Sequence, residues 1–154
     1  MLFDQQDALE QERDAFLKDH PRRGVISLDY PLISNLNVWE NIALIRQFHD
    51  MWPREKARED ALESLSLLGM EHIGSTRNPD LREEERFAAM LLRAIKLPDA
   101  ELLLDRPFEL VPTVHDFSFF DGLLKKLTPF YEACYIFDYR WNKKDYGAEY
   151  AEEH

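Results

Sequence analysis

The chain has 154 residues, enough for one domain with a sizeable core and too few to suggest two. Apolar residues make up 45% and charged residues 32%, the composition of a soluble globular protein, and no apolar run is long enough to span a membrane. A net charge of −11 excludes a nucleic-acid partner, whose phosphates require clustered cations; the short basic runs HPRRG (20–24) and RWNKKDY (140–146) read as solvated loop ends.

The N-terminus, MLFDQQDALEQERD, is acidic and unlike a secretory or transit peptide. Residues 4–19 are polar apart from Leu9, Phe16 and Leu17 on one stripe, which predicts an amphipathic helix. Pro21 and Gly24 end it, and GVISL (24–28) reads as a short buried strand. After the turn DYPLISN, Asn37 and Glu40 form a capping-box pair that starts a helix stopping near Asp50. Pro53 opens the next helix, which ends at Gly69, with Ala57, Ala61, Leu62, Leu65 and Leu68 at helical spacing.

Asn78, Pro79 and Asp80 are expected to open another helix running to about Lys96, with Phe87, Leu91, Ala94 and Ile95 on one face. ELLLD (101–105), between Pro98 and Pro107, has the pattern of a parallel strand buried on both faces. Thr113 and Asp116 are placed to cap a helix ending near Leu127, and EACYIFD (132–138) is a further strand. Strands alternating with helices predict a small α/β domain, about three parallel strands flanked by helices. Within a single domain (1–154) the expected parts are an N-terminal segment 1–23, a strand and helix over 24–50, a helical subdomain 51–97, two strands within 98–142 and a frayed tail 143–154.

YPLISNLNVWENIAL (30–44) and LREEERFAAMLLRAIKLPDAELLLDRPF (81–108) together resemble the nucleotide-binding subunits of ABC transporters, most closely those of lipid-trafficking type. The first run looks like the segment after the family's Q-loop. The second is similar, without a gap, to the signature helix followed by the Walker B strand. The resemblance implies a partial P-loop NTPase core carrying the family's helical subdomain. It also implies that the strands of Q-loop, Walker B and switch, here 24–28, 101–105 and 133–138, lie side by side.

The departures fall on the positions that do chemistry. The phosphate-binding loop G-x-x-x-x-G-K-[ST] is absent, since none of the five glycines precedes a lysine. In the alignment the Q-loop glutamine is Leu28, and the signature S-G-G falls on Arg82, Glu83 and Glu84, where acidic side chains would repel a phosphate. Asp105 matches the Walker B aspartate, but the following catalytic glutamate is Arg106, a permanently protonated group that cannot act as a base. ELVPT (109–113) replaces the D-loop, and Phe137 or Asp138 stands for the switch histidine. The resemblance therefore implies a pseudo-ATPase, with no catalytic residue, no cofactor, no metal and only a vestigial Asp105.

What remains points to protein contact. Tyr30, Leu32, Ile33 and Trp39 sit in the segment that helps the family form its groove for a permease, and they form either a docking surface or the packing of the helical subdomain. The expected partner is a protein, a permease or transport subunit or a second copy of the chain. The expected location is the cytoplasm, reached by the membrane's inner face only through that partner and without insertion. A stand-alone or self-associating scaffold, and an enzyme whose phosphate loop comes from another chain, are the alternatives. The apolar strand ACYIF (133–137) would lose its usual neighbour and need covering by the N-terminal segment or a second chain. His20, His49, His72 and His115 lack metal-ligand spacing, and Cys134 has the pattern of a small buried hydrophobe in a reducing compartment.

Overall fold

The computed structural model describes residues 1–147. The elements are β1 (Leu2–Phe3), α1 (Gln6–Asp19), β2 (Arg23–Ile26), α2 (Val38–Phe48), α3 (Arg54–Leu67), α4 (Glu83–Ala94), β3 (Ala100–Asp105), α5 (Pro107–Leu110), α6 (Ser118–Lys126) and β4 (Tyr131–Tyr139). Among the described residues the strands form one sheet in the order β1-β4-β3-β2, and each neighbouring pair runs parallel.

The sheet is α/β with helices on both faces, as expected, but it has four strands rather than three. The fourth is β1, two residues whose register sets Leu2 opposite Asp138 and Phe3 opposite Tyr139. Met1 extends this pairing by donating its nitrogen to Ile136 O at 2.6 Å and accepting from Asp138 N at 3.1 Å. The N-terminal segment thus covers the upper half of β4, one of the two coverings expected. Residues 136–139 are buried there, whereas 131–135 remain partly or fully exposed.

Side-chain alternation divides the core between the two faces. Leu103, Phe137 and Tyr139 join Phe3, and Leu9 and Leu17 of α1, on one face. Ile26, Leu102, Leu104 and Ile136 face the larger cluster built with α2, α3, α4 and α6. Close approach to this second face requires Gly24, because a Cβ there would lie 2.7 Å from both Cβ and O of Ala94 in α4.

The helical layer follows its local signals. Asn37 Oδ1 accepts from Glu40 N at 2.9 Å and Glu40 Oε1 accepts from Asn37 N at 3.2 Å, the reciprocal capping box at the start of α2. Gly69, at φ +67, follows the end of α3 in the left-handed conformation that a helix terminus favours. Asn78–Asp80 makes only a 3-10 turn, and α4 begins at Glu83, where Glu85 accepts the Arg82 N–H at 2.9 Å. Phe117, not Asp116, is the N-cap of α6; Asp116 accepts from Ser118 N at 2.6 Å just before the helix, and Thr113 donates to Glu84. The expected fraying from Lys143 does not apply to 143–147. Tyr146 is buried and donates its hydroxyl to Asp138, in a 3-10 segment, Arg140–Tyr146; the rest of the tail lies outside the described residues.

Candidate functional site

Ligands of parallel α/β sheets bind beyond the C-terminal ends of the strands. Here that end is closed by a group of charged side chains drawn from α1, β3 and the segment after β2. Asp105, the last residue of β3, is wholly buried, with both oxygens engaged. Oδ1 accepts from Arg106 Nε at 2.8 Å. Oδ2 accepts from Ser27 Oγ at 2.7 Å, Arg13 Nη1 at 3.0 Å and Arg106 Nη2 at 3.1 Å. A carboxylate offers about four lone-pair sites, so these donors fill it.

A second carboxylate completes the group. Asp29 Oδ2 takes Arg13 Nη1 at 2.5 Å and Arg106 Nη2 at 3.4 Å, and Glu10 Oε1 lies 3.7 Å from Arg106. Ser27 ties the loop down by accepting Asp29 N–H at 3.2 Å. Two guanidiniums thus stand among three carboxylates. Burial opposes the ionised form of Asp105, yet its bonds to Arg106, Ser27 and Arg13 outweigh that and hold its carboxyl below the ordinary range. Burial likewise opposes charge on Arg13 and Arg106, and the carboxylates overcome it and keep both firmly protonated.

Arg106 reaches this geometry from an uncommon backbone. Its φ of 50° is in the left-handed region, rarely held by a residue with a long side chain. Its N–H donates to Phe137 O at 2.7 Å, which anchors the turn to β4.

β1 and α1 stand beside the switch-type strand β4, the neighbour that the resemblance assigns to the phosphate-loop strand. The N-terminal segment, one of the two coverings expected, therefore fills that place. Only Asp4 and Gln5 join β1 to α1, a span too short for a glycine-rich phosphate loop. The part of Arg13 was missed in the sequence, although Leu9, Arg13 and Leu17 are spaced by four and all three are buried. A lone cation inside an apolar stripe was the available signal.

The other expected positions are distributed differently. Leu28, at the Q-loop glutamine's place, is exposed. Glu83, Glu84 and Glu85 occupy the first turn of α4, where Glu85 also meets His72 Nε2 at 3.1 Å. Phe137 packs against Phe3 and Phe16 on the α1 face, whereas Asp138 lies on the opposite face, bonded to Tyr146, Asn142 Nδ2 and Tyr139 N. Burial and the charge of Asp105 push the Asp138 carboxyl up against these bonds.

Of the docking candidates, Tyr30 and Ile33 are exposed, while Leu32 and Trp39 are buried. Trp39 lies beneath the guanidiniums of Arg54 and Arg58, at 4.7 and 5.6 Å from its ring centre. The last two therefore serve packing. His20 pairs with Glu101 and His49 with Asp50, and among the described residues no three metal-ligating side chains converge. Burial pushes the Cys134 thiol up to about 12, so it stays a thiol.

No protein-family model matches the chain. Two sulfate/thiosulfate import ATP-binding proteins CysA, from Xylella fastidiosa strains Temecula1 and 9a5c, are each 29% identical to it over 90 residues. That match covers 56% of this chain and 26% of the relative, so the chain spans about a quarter of the length of the curated relatives it matches. Among solved structures, the dimeric ATP-binding cassette MJ0796 superposes with a TM-score of 0.59 at 20% identity, over 89% of this chain and 60% of that one. Its post-hydrolysis dimer with ADP and Pi gives 0.56 at 21%, over 79% and 53%.

The fold is therefore like that of the ATP-binding cassettes among these solved structures. Over 90 residues the chain is also similar in sequence to the ATP-binding protein of a sulfate/thiosulfate importer.

Proposed function

We propose that this domain does not hydrolyse ATP and acts as an interaction or regulatory component of a transport assembly. The observation that carries this reading is the closure of Asp105 by Arg13, Arg106 and Ser27. A magnesium nucleotide would have to strip two guanidiniums from a buried carboxylate, a cost of several kcal/mol. Asp4 and Gln5 offer no phosphate loop, and Arg106 offers no base. An enzyme completed by another chain's phosphate loop is disfavoured, because that loop's strand would have to displace β1 from β4.

The same reading places a protein partner on the segment between β2 and α2. Leu28, Tyr30 and Ile33 expose their side chains there, and Arg93 holds the segment in place by donating to the carbonyls of Tyr30 and Pro31 at 2.6 and 2.9 Å. Apolar side chains on a pre-ordered segment suit a protein contact. A permease or transport subunit fits the company kept by the curated relatives, which are named as import ATP-binding proteins. Such a partner would hold the domain at the membrane's cytoplasmic face; among the described residues no helix is long and apolar enough to cross a membrane itself.

Calorimetric titration with magnesium and ATP tests the central statement. Absence of binding heat is expected, and saturable micromolar binding would overturn it.

A second reading, a self-associating scaffold, is favoured by the lower half of β4. Residues 131–135 keep an edge that β1 does not reach, an arrangement that invites another strand. Sedimentation at rising concentration separates the readings, since a scaffold of this kind dimerises without any transport subunit.

A further inference from the structure

We propose that the cleft beside the C-terminal ends of β3 and β4 binds an organic cation, an ammonium or guanidinium group. The cleft has a volume of about 270 Å³, and its walls include Phe108, Glu109, His115, Tyr139, Trp141 and Asp145. That volume lies just below the range of ~300–1,000 Å³ usual for whole ligands and suits a single head group.

The aromatic wall gives the first half of the recognition. Tyr139 and Trp141 stack with ring centres 4.2 Å apart and planes 17° from parallel. Tyr139 is buried and backs the stack, whereas Trp141 is 61% exposed, and among the described residues no other ring or cation stacks on it. An indole face is the strongest π surface that a protein can offer a cation. Because the tyrosine already holds the ring, little side-chain freedom remains to be lost on binding.

The charges give the other half. Among the described residues the carboxylates of Glu109 and Asp145 have no hydrogen-bond or ion-pair partner. No lysine or arginine belongs to the cleft lining. Burial pushes the Glu109 carboxyl up against the charge of Arg106, and Glu109 and Asp145 give the cleft wall two carboxylates. An anion is repelled there. A hard metal ion needs several converging oxygen or nitrogen ligands, which the described residues do not supply. A cation with an apolar rim satisfies both the carboxylates and the indole.

Two sources carry that chemistry: a free amine or guanidine, and a Lys or Arg side chain on a partner protein. Nuclear magnetic resonance of the 15N-labelled chain distinguishes them. Trp39, Trp52 and Trp141 provide three indole N–H signals, two of them internal controls. One arm adds argininamide and tetramethylammonium; the other adds a short peptide with a single central arginine, beside its alanine counterpart. A saturable shift of the Trp141 signal alone is expected in at least one arm. Saturation by the small cations identifies a free ligand, and saturation by the arginine peptide only identifies a partner side chain.

Glu109→Gln and Asp145→Asn alter carboxylates outside the core and keep all three indoles as reporters. Each is expected to weaken binding about tenfold. In Trp141→Ala, followed through the amides of Glu109 and Asn142, the shift is expected to vanish. No saturable shift in either arm up to about 10 mM would overturn the proposal, as would unchanged affinity in the double variant Glu109→Gln/Asp145→Asn.

Discussion

Arg106 Nε lies 2.8 Å from Oδ1 of Asp105, its neighbour in sequence. In the resemblance these two positions hold a metal-binding aspartate and a water-activating glutamate, two like charges kept together by what they bind. Here the pair is of opposite sign and needs no ligand. Substitutions should therefore be read as changes in folding stability.

Asp105→Ala leaves Arg13 and Arg106 with the more exposed Asp14 and Asp29 and the more distant Glu10 as carboxylate partners. Breaking one side of a buried ion pair costs ~3–5 kcal/mol, and urea denaturation should show a loss of that size. Arg106→Glu, which restores the family's residue, sets a new carboxylate beside three others. It should destabilise at least as much and give no phosphate release from ATP.

Acid titration should separate two buried aspartates by sign. The Asp105 carboxyl is held low in the folded chain, so its stabilisation is complete above the unfolded value of about 3.9 and is lost as pH falls below it. The Asp138 carboxyl is held high, so its contribution is greatest in acid and declines as pH rises through about 4 and above. Comparing denaturation midpoints from pH 3 to 7, Asp105→Asn should remove a rising slope and Asp138→Asn a falling one.

Arg106→Gly and Arg106→Ala lose the same ion pairs but differ in backbone. At φ 50° the glycine variant avoids the left-handed penalty of ~1–2 kcal/mol and should be the more stable of the two by about 1 kcal/mol. Equal stability would show that the turn relaxes once the guanidinium is gone.

Asn37→Ala removes one of the two reciprocal bonds at the start of α2 and should cost ~1 kcal/mol. In a domain of this size, that lowers the melting temperature by about 2–4 °C.

Features governed by neighbouring residues were legible in the sequence. The Asn37–Glu40 box, Gly69 after α3 and the run ELLLD each express a local preference, and each stands where its pattern put it. The aspartate at the end of β3 and the arginine after it were also visible. Their partners were not, because Arg13 lies 92 residues from Asp105 and no spacing rule joins them. Leu2–Phe3 is too short to carry an alternating pattern, so the strand beside β4 could not be seen. The docking residues divided because loop and core positions share the same apolar letters: Leu32 and Trp39 turned inward, Tyr30 and Ile33 outward.

The pairing of Leu2 and Phe3 with Asp138 and Tyr139 also sets a timetable. During synthesis β1 leaves the ribosome long before β4, its partner in the sheet, appears. Arg13 stays without Asp105 for most of that interval. The helices α2, α3 and α4, whose mutual contacts lie close together in sequence, can assemble meanwhile. The pairings of β4 with β3 and with β1 then follow as the late step. A ribosome stalled before Tyr131 should display a formed helical layer and a first helix still sensitive to protease.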